Sequence, residues 1–214
     1  MCRAADSQTV MGEDLERVLP QFCEKRARYS CARGKVCFSN DPLTETQVSM
    51  RLRLRPATLQ DVQELMAFRT AVRGHLVRQF GEGFWAARTT ERGTLAAMKR
   101  GSVFVSRNRG RIAASLTLST RRPWAIDAKY FHPSVRPLYL TAMAVDPRQQ
   151  GKGLGRLCME EARRIAREWP ADAIRLDAWD AAAGAGDFYR KCGYREVGRA
   201  AYRKTQLIYF ELLL

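Results

Sequence analysis

The clearest hydrophobic pattern in the chain lies between residues 138 and 169. A near-continuous apolar run, residues 138–145, ends at Asp146-Pro147. Such a run, bounded by turn residues, predicts a strand that is buried on both faces. After it, apolar residues recur at helical spacing as far as Trp169, and Pro170 predicts the end of that helix. Three glycines stand between the two elements: Gly151, Gly153 and Gly155.

Upstream patterns are shorter. Apolar and charged residues alternate strictly over residues 51–55, which predicts a half-buried strand. An amphipathic helix is predicted from Val62, preceded by Thr58 and Asp61, which resemble a capping box. Residues 73–100 are predicted to be helical in pieces, because glycines interrupt the pattern at positions 81 and 83.

A hairpin is predicted next. Residues 103–105 and 112–118 have the composition of paired strands, with Asn108-Arg109-Gly110 in the turn. Residues 121–137 form a longer irregular stretch with three prolines, and long loops beside a site often carry specificity.

The last third of the chain continues the alternation. A strand is predicted over residues 174–179, a short helix over 182–192 that ends at Gly193, and two closing strands over 194–198 and 207–213. This succession of strands and helices predicts an α/β fold.

Residues 1–50 differ from the rest. They have weak periodicity, seven basic and seven acidic residues, and one short helix predicted over residues 12–28. Met50 immediately precedes the first clear strand. Two interpretations stay open, a gene-start artefact and a genuine, partly disordered tail. The expected division is an N-terminal extension, 1–50, and one domain, 51–214.

Charge adds a constraint on partners. The formal net charge is +15, and residues 51–214 carry 30 of the 37 basic residues but only 15 of the 22 acidic ones. A positive field favours the capture of a polyanion. The alternatives are a solvated arginine-rich surface and a nucleic-acid interface. Because the arginines are scattered without a long basic run, no nucleic acid is expected as a partner.

Several functional classes are disfavoured. No apolar run is long enough to span a membrane, and the first residues contain no apolar segment typical of a secretory signal. A cytoplasmic protein without a membrane partner is therefore expected. The six cysteines form no C-x-x-C pair and only two histidines are present, so no metal site is expected.

The glycine-rich segment has the features of a phosphate site. Glycines allow close approach of the backbone to an anion, and the first amides of a helix are unpaired and lie at the positive end of its dipole. Arg148, Lys152 and Arg156 add full charges there. A Walker loop would need a hydroxyl residue after the lysine, and a dinucleotide fingerprint would need a third glycine at position 156.

The segment instead resembles the R/Q-x-x-G-x-G/A signature of the GNAT superfamily of N-acetyltransferases, with Arg148, Gly151 and Gly153 at its fixed positions. The opening of the domain, Arg-Pro-Ala-Thr-x-x-Asp from residue 55, is also similar to that family. The resemblance implies a mixed, strongly twisted α/β sheet flanked by helices and splayed at the central strand, with acetyl-CoA in the cleft. It implies that the cofactor is bound by Met143, Ala144, Val145, Arg148, Gln149, Gln150, Gly151, Lys152, Gly153, Leu154, Gly155 and Arg156.

A second segment, residues 187–194, resembles the family's F/L-Y-x-x-x-G-F/Y pattern. The resemblance implies that Tyr189 is the general acid that protonates the departing thiolate; a packed helix tyrosine is the alternative. Many members have an asparagine seven residues earlier, where this chain has Ala182. Backbone amides at Gly184 and Gly186 are the proposed replacement.

The acceptor and the general base are left open. Asp177, Asp180, His75 and His132 are candidate bases, and none is assigned. The resemblance implies a primary amine of a small molecule or peptide as acceptor, held by loops 73–100 and 121–137. The main hypothesis is an acetyl-CoA-dependent N-acetyltransferase; the alternative is an acyl-CoA-binding sensor without efficient catalysis. A homodimer is left open.

Overall fold

A computed structural model of the protein describes residues 53–83, 87–181 and 184–214. The helix predicted over residues 12–28, the proposed start at Met50 and the departure at Ala182 lie outside the described residues. The chain forms strands and helices in this order: β1 (Arg55–Pro56), α1 (Val62–Phe80), α2 (Glu91–Arg100), β2 (Ser102–Asn108), β3 (Arg111–Ser119), β4 (Pro137–Val145), α3 (Leu154–Glu168), β5 (Ala173–Trp179), α4 (Gly186–Lys191), β6 (Arg195–Tyr202) and β7 (Thr205–Leu213).

The strands form one mixed sheet in the order β1-β2-β3-β4-β5-β7-β6. Neighbours are antiparallel except β4 and β5, which run parallel. The predicted α/β class, with a mixed sheet flanked by helices, is therefore confirmed.

The sheet splays in its centre. β4 and β5 pair only where they begin, from Pro137 opposite Ala173 to Tyr139 opposite Arg175. Beyond that point β4 follows β3, and β5 follows β7. The predicted splay at the central strand is confirmed, and it leaves one edge of the second half of β4 without a neighbouring strand in the described fold.

The splay corrects one prediction about β4. The first half of the apolar run is buried, at residues 138–140, but Thr141 and residues 143–145 are half-buried and Ala142 is exposed. The run is apolar on both faces because it lines a cleft, and not because protein covers it throughout.

A β-bulge marks the place where β4 changes surroundings. Thr141 is opposite Thr117 and Ala144 is opposite Ser115, so β4 has one extra residue in this interval. Within it, Ala142 has φ +51. A left-handed conformation at a non-glycine residue costs about 1–3 kcal/mol and needs a surrounding structure that fixes it. The bulge bends β4 away from β5 and re-aims its side chains.

The two faces of the sheet are covered differently. On one face, α3 and α4 pack on alternate residues such as Leu138, Ile208 and Phe210. On the other face, α1 and α2 cover β2 and β3, and the stretch 121–137 covers β7 through Ile126 and Phe131. Ile126 and Phe131 of the irregular stretch therefore belong to the core, while Trp124 and Val135 of the same stretch are exposed.

The predicted elements are largely confirmed, but the strand predicted over residues 51–55 is not: in the described residues β1 covers only Arg55–Pro56. The helical segment breaks between Phe80 and Glu91, and the β2–β3 hairpin turns at Arg109 and Gly110, both with positive φ. Gly193 ends the helix before it with φ +84, but α4 is shorter than predicted. Within the described residues, none of the helices combines the length and the apolar character that a membrane span requires.

Candidate functional site

A cavity of about 620 Å³ lies where β4 and β5 diverge. We call it the splay cavity. Its walls come from the stretch 121–137, the bulged part of β4, the end of β5, α4 and the β6–β7 turn, and its lining residues are Pro123, Trp124, Ala125, Leu140, Thr141, Ala142, Asp177, Tyr189, Tyr202 and Arg203.

Tyr189 lines this cavity from α4 and is only 7 % exposed. Its ring packs against Phe188, Tyr194 and Phe210, with centroids 5.2, 6.0 and 5.8 Å away. Burial, and then the nearby Asp177 carboxylate, raise the pKa of Tyr189 well above the ordinary value for tyrosine. The phenol therefore keeps its proton throughout the physiological range.

Asp177 is the second ionisable group in the cavity. It lies near the carboxyl end of β5, is half-buried, and has no ion-pair partner among the described residues. Desolvation raises its pKa above the usual value for aspartate. An acidic residue between two apolar ones in a strand, as in Leu176-Asp177-Ala178, was the sequence signal that could have favoured it.

The other three candidate bases are elsewhere. Asp180 pairs with Arg199 at 2.8 Å, and His132 lies 2.6 Å from the Glu211 carboxylate. His75 belongs to α1 and does not line the cavity. Of the four candidates, the fold brings only Asp177 beside Tyr189.

The glycine loop, residues 146–153, leads from β4 into α3. Asp146 accepts a hydrogen bond from the Arg148 amide at 3.0 Å and starts a single 3-10 turn, Pro147–Gln149. Gly151 and Gly153 have φ +74 and +79, and a Cβ at either would meet no atom within 4 Å. Backbone conformation selects glycine at both positions, and the space in front of them is open.

The side chains of this loop are engaged with each other. Arg148 pairs with Asp146 at 2.8 Å, and Lys152 Nζ donates to the Arg148 carbonyl at 2.9 Å. Gln150 Nε2 donates to the Val145 carbonyl at 3.3 Å, and Arg156 pairs with Glu160 at 3.3 Å. The backbone is thus arranged for an anion, while the cations are held by neighbouring groups and are exposed.

Other predicted cofactor residues differ in what they can offer. Met143, Ala144 and Val145 are half-buried on the edge of β4 that lacks a strand. The backbone N–H of Gln149 donates a hydrogen bond to the Asp146 backbone carbonyl at 2.7 Å. The Leu154 side chain is buried in the core, so only its backbone amide, at the start of α3, faces the loop.

Gly155 has a packing role that the sequence interpretation missed. A Cβ there would lie 3.1 Å from the Phe188 ring. The absence of a side chain lets the first turn of α3 approach α4, the helix that carries Tyr189. The third glycine therefore couples the glycine loop to the splay cavity.

The proposed substitutes for the missing asparagine, Gly184 and Gly186, lie at or just before the start of α4. A Cβ on Gly184 would lie 1.9 Å from the Trp179 carbonyl oxygen, so this residue is in tight contact with the end of β5. Gly186 is the buried first residue of α4. Their amides stay candidates for a cofactor contact. The described residues contain no group of three or more side chains suited to hold a metal ion.

Known protein families and solved structures resemble this chain in sequence and in fold. A sequence model of the acetyltransferase (GNAT) family matches residues 69–194. No curated protein sequence matches the chain significantly. Many solved structures share the fold. The three described next have low sequence identity to this chain.

Three of these structures illustrate the likeness. The ribosomal-protein-S18-alanine N-acetyltransferase of Escherichia coli has a TM-score of 0.57 at 16 % identity, over 76 % of this chain and 93 % of that one. A GNAT-family acetyltransferase from Streptococcus agalactiae has a TM-score of 0.62 at 14 % identity, over 76 % and 95 %. Aminoglycoside acetyltransferase AAC(6')-Ib, solved with coenzyme A, has a TM-score of 0.60 at 17 % identity, over 76 % and 94 %.

Proposed function

Because the chain belongs to the acetyltransferase (GNAT) family, we propose that it is an N-acetyltransferase that moves an acetyl group from acetyl-CoA to the primary amine of a small molecule or a peptide. The observation that carries this proposal is the splay cavity. It joins a buried tyrosine and an unpaired carboxylate at the bulged part of β4, the strand that has an unpaired edge and leads into the open glycine loop. We assign the activity to residues 51–214.

The cofactor would be held mainly by backbone. The pyrophosphate of acetyl-CoA would face the glycine loop, where the first amides of α3 carry partial positive charge. The pantetheine arm would pair with the free edge of β4 at residues 143–145, in the manner of an added strand. For this, the Gln150 side chain must release the Val145 carbonyl. Residues 148–156 are the proposed phosphate-side contacts.

The chemistry needs few side chains. The neutral amine attacks the thioester carbonyl carbon, a C–N bond forms, and the C–S bond then breaks. The departing thiolate takes a proton, which we assign to the Tyr189 hydroxyl because that group faces the cavity as a neutral phenol. The phenol regains a proton as the nitrogen loses one.

The cofactor assignment is tested at Gly153. Asparagine tolerates a left-handed conformation, so Gly153→Asn should keep the loop while its side chain occupies the open space in front of the amides. We expect at least a tenfold loss of acetyl-CoA affinity by calorimetry, about the effect of one lost charged hydrogen bond. Gly110→Asn is the matched control, because Gly110 has the same φ of +79 and equally open surroundings in the β2–β3 turn.

Two outcomes would count against the proposal. Unchanged acetyl-CoA affinity in folded Gly153→Asn would remove the glycine loop from the cofactor site. Tight acetyl-CoA binding by the wild-type protein without thiol release, over a broad panel of amines, would favour an acyl-CoA-binding module instead.

A further inference from the structure

The acceptor side of the molecule has an uneven charge distribution. A second cavity of about 670 Å³ adjoins the splay cavity and shares Trp124, Ala125 and Tyr202 with it. The splay cavity contains one carboxylate, Asp177, and one guanidinium, Arg203. The shared residues are aromatic or apolar and border both cavities. A ligand in the splay cavity would therefore lie next to the second cavity.

The charges of the second cavity are mostly neutralised by neighbours. Lys129 pairs with Asp127 at 3.1 Å, and Arg199 pairs with Asp180 and Glu196 at 2.8 and 2.7 Å. These groups are committed to the protein itself.

Arg203 differs from them. It has no carboxylate partner in the described part of the chain, and its guanidinium lies over the Tyr202 ring, 5.5 Å from the centroid. It occupies the two-residue turn between β6 and β7 with φ +56. Its exposed position at the mouth of the cavity leaves a positive charge for a ligand to contact.

We propose that the acceptor is a primary amine that also carries a carboxylate, with its amine at Asp177 and its carboxylate at Arg203. This inference rests on the proposed acetyl transfer and names the substrate class. Trp124, which is 88 % exposed, and Tyr202 flank the carbon skeleton between the two charged ends.

Complementary charge explains both ends. A guanidinium binds a carboxylate through two parallel hydrogen bonds, which fix its orientation. Asp177 attracts an ammonium and lies at the end of the cavity where Tyr189 also faces. A polycation would place at least one ammonium against Arg203, so polyamines should be poor acceptors.

Asp177 also has a catalytic role in this arrangement. The acceptor ammonium transfers one proton to the Asp177 carboxylate, which releases it to solvent, and the resulting amine attacks the thioester. A second proton leaves the nitrogen after the C–N bond has formed and restores the Tyr189 hydroxyl through water. The products are an amide, a neutral thiol and one free proton, so atoms and charge balance.

The experiment measures thiol release with matched amines. Each set contains an amino acid, its amide and the amine without the carboxylate: phenylalanine, phenylalaninamide and phenethylamine for an aromatic set, and 6-aminohexanoate, its amide and hexylamine for a linear one. Spermine serves as the polycation. We expect wild-type kcat/KM to be highest for a carboxylate-bearing amine.

Arg203→Gln should lower kcat/KM about 10- to 100-fold for that amine and less than about threefold for its counterparts without a carboxylate, as expected for one charged hydrogen-bond pair. Arg109→Gln is the matched control, because Arg109 also occupies a hairpin turn with positive φ but does not line either cavity. Asp177→Asn should abolish turnover of every amine and leave acetyl-CoA affinity unchanged.

The outcomes distinguish a failure of the proposed acetyl transfer from a failure of the proposed acceptor class. Failure of the wild-type protein to bind acetyl-CoA would overturn the proposed function itself. Binding of acetyl-CoA without turnover of any amine would also count against the proposed function. If any amine is acetylated, the substrate class is overturned by either of two results: equal or better use of amines without a carboxylate or of spermine, or an equal loss for all acceptors in Arg203→Gln.

Discussion

Two charged residues on β5, Arg175 and Asp177, stand on the same face of one strand but in opposite surroundings. Arg175 lies where β4 and β5 are still paired, and Asp177 lies where they have separated. The Arg175 guanidinium binds Glu211 at 2.9 Å, donates to the His132 carbonyl and stacks on Phe131. Asp177 has no described ion-pair partner and faces a cavity.

The difference shows how the fold divides structure from function. Arg175 and Glu211 are 6 % and 2 % exposed, and each is satisfied by the other and by His132. At the end of the splay where β4 and β5 are still paired, the buried charge of Arg175 has a full set of partners, and loss of one would leave the charge uncompensated. A half-buried charge without such partners, in a cavity and with a raised pKa as at Asp177, is the type of group that marks a reactive site.

The largest expected effect is on turnover, at the open end of the splay, where β4 and β5 have separated. Tyr189→Phe keeps the ring and its packing but removes the proposed proton donor. Since general acid catalysis contributes about 10²–10⁴ in rate, turnover should fall by that factor while acetyl-CoA affinity changes little. The measurement is thiol release under conditions where chemistry is rate-limiting, together with calorimetry of cofactor binding.

Tyr194→Phe is the matched control for this variant. Tyr194 packs edge-on against Tyr189, but its buried hydroxyl has no hydrogen-bond partner in the described structure and does not line the splay cavity. Its removal should leave turnover unchanged. Wild-type turnover in Tyr189→Phe would reduce Tyr189 to a packing residue.

The second-largest expected effect is on stability, at the closed end of the splay, where β4 and β5 are still paired. Glu211→Ala leaves Arg175 buried without its carboxylate, and breaking a buried pair from one side costs about 3–5 kcal/mol. We expect the free energy of unfolding to fall by that amount in denaturant titrations. Glu160→Ala removes an exposed pair with Arg156 and should change stability by less than about 1 kcal/mol. Similar losses in both variants would contradict the structural role of the Arg175–Glu211 pair.

The sequence was informative where local pattern determines structure. The glycine loop follows from glycines with positive φ and a strand-to-helix transition, all within residues 138–156. The hairpin at Arg109-Gly110 follows from its turn residues in the same way. These features depend on backbone conformation, which a short stretch of sequence specifies.

The acceptor side could not be predicted because it is assembled from distant segments. Trp124, Asp177 and Arg203 are brought to one cavity by the order of the strands and by the bulge at Ala142. Nothing in the spacing of these residues indicates their proximity. The role of Gly155 against Phe188 was missed for the same reason, since it depends on how two helices meet.

The smallest expected effect has the opposite sign from that at Glu211. The raised pKa of Asp177 means that its carboxylate is less favourable in the folded state than in the unfolded chain. As pH rises above the ordinary aspartate range, the unfolded state ionises first, and this residue lowers stability. Asp177→Asn should therefore leave the free energy of unfolding unchanged or raise it by up to about 1 kcal/mol at pH 7.5.

That gain in the free energy of unfolding should shrink at pH 4.5, where the folded-state carboxyl of Asp177 is more often protonated and resembles the amide.

Asp172→Asn is the control of opposite sign. Although desolvation opposes it, hydrogen bonds from Ser134 and from the Val135 and Arg136 amides hold the pKa of Asp172 below its usual value. Its substitution should destabilise the protein at pH 7.5, and less so as pH falls through the carboxyl range. Denaturant titrations of both variants at the two pH values make the measurement. A clear loss of stability in Asp177→Asn at pH 7.5 would mean that its carboxylate, like that of Glu211, serves the fold.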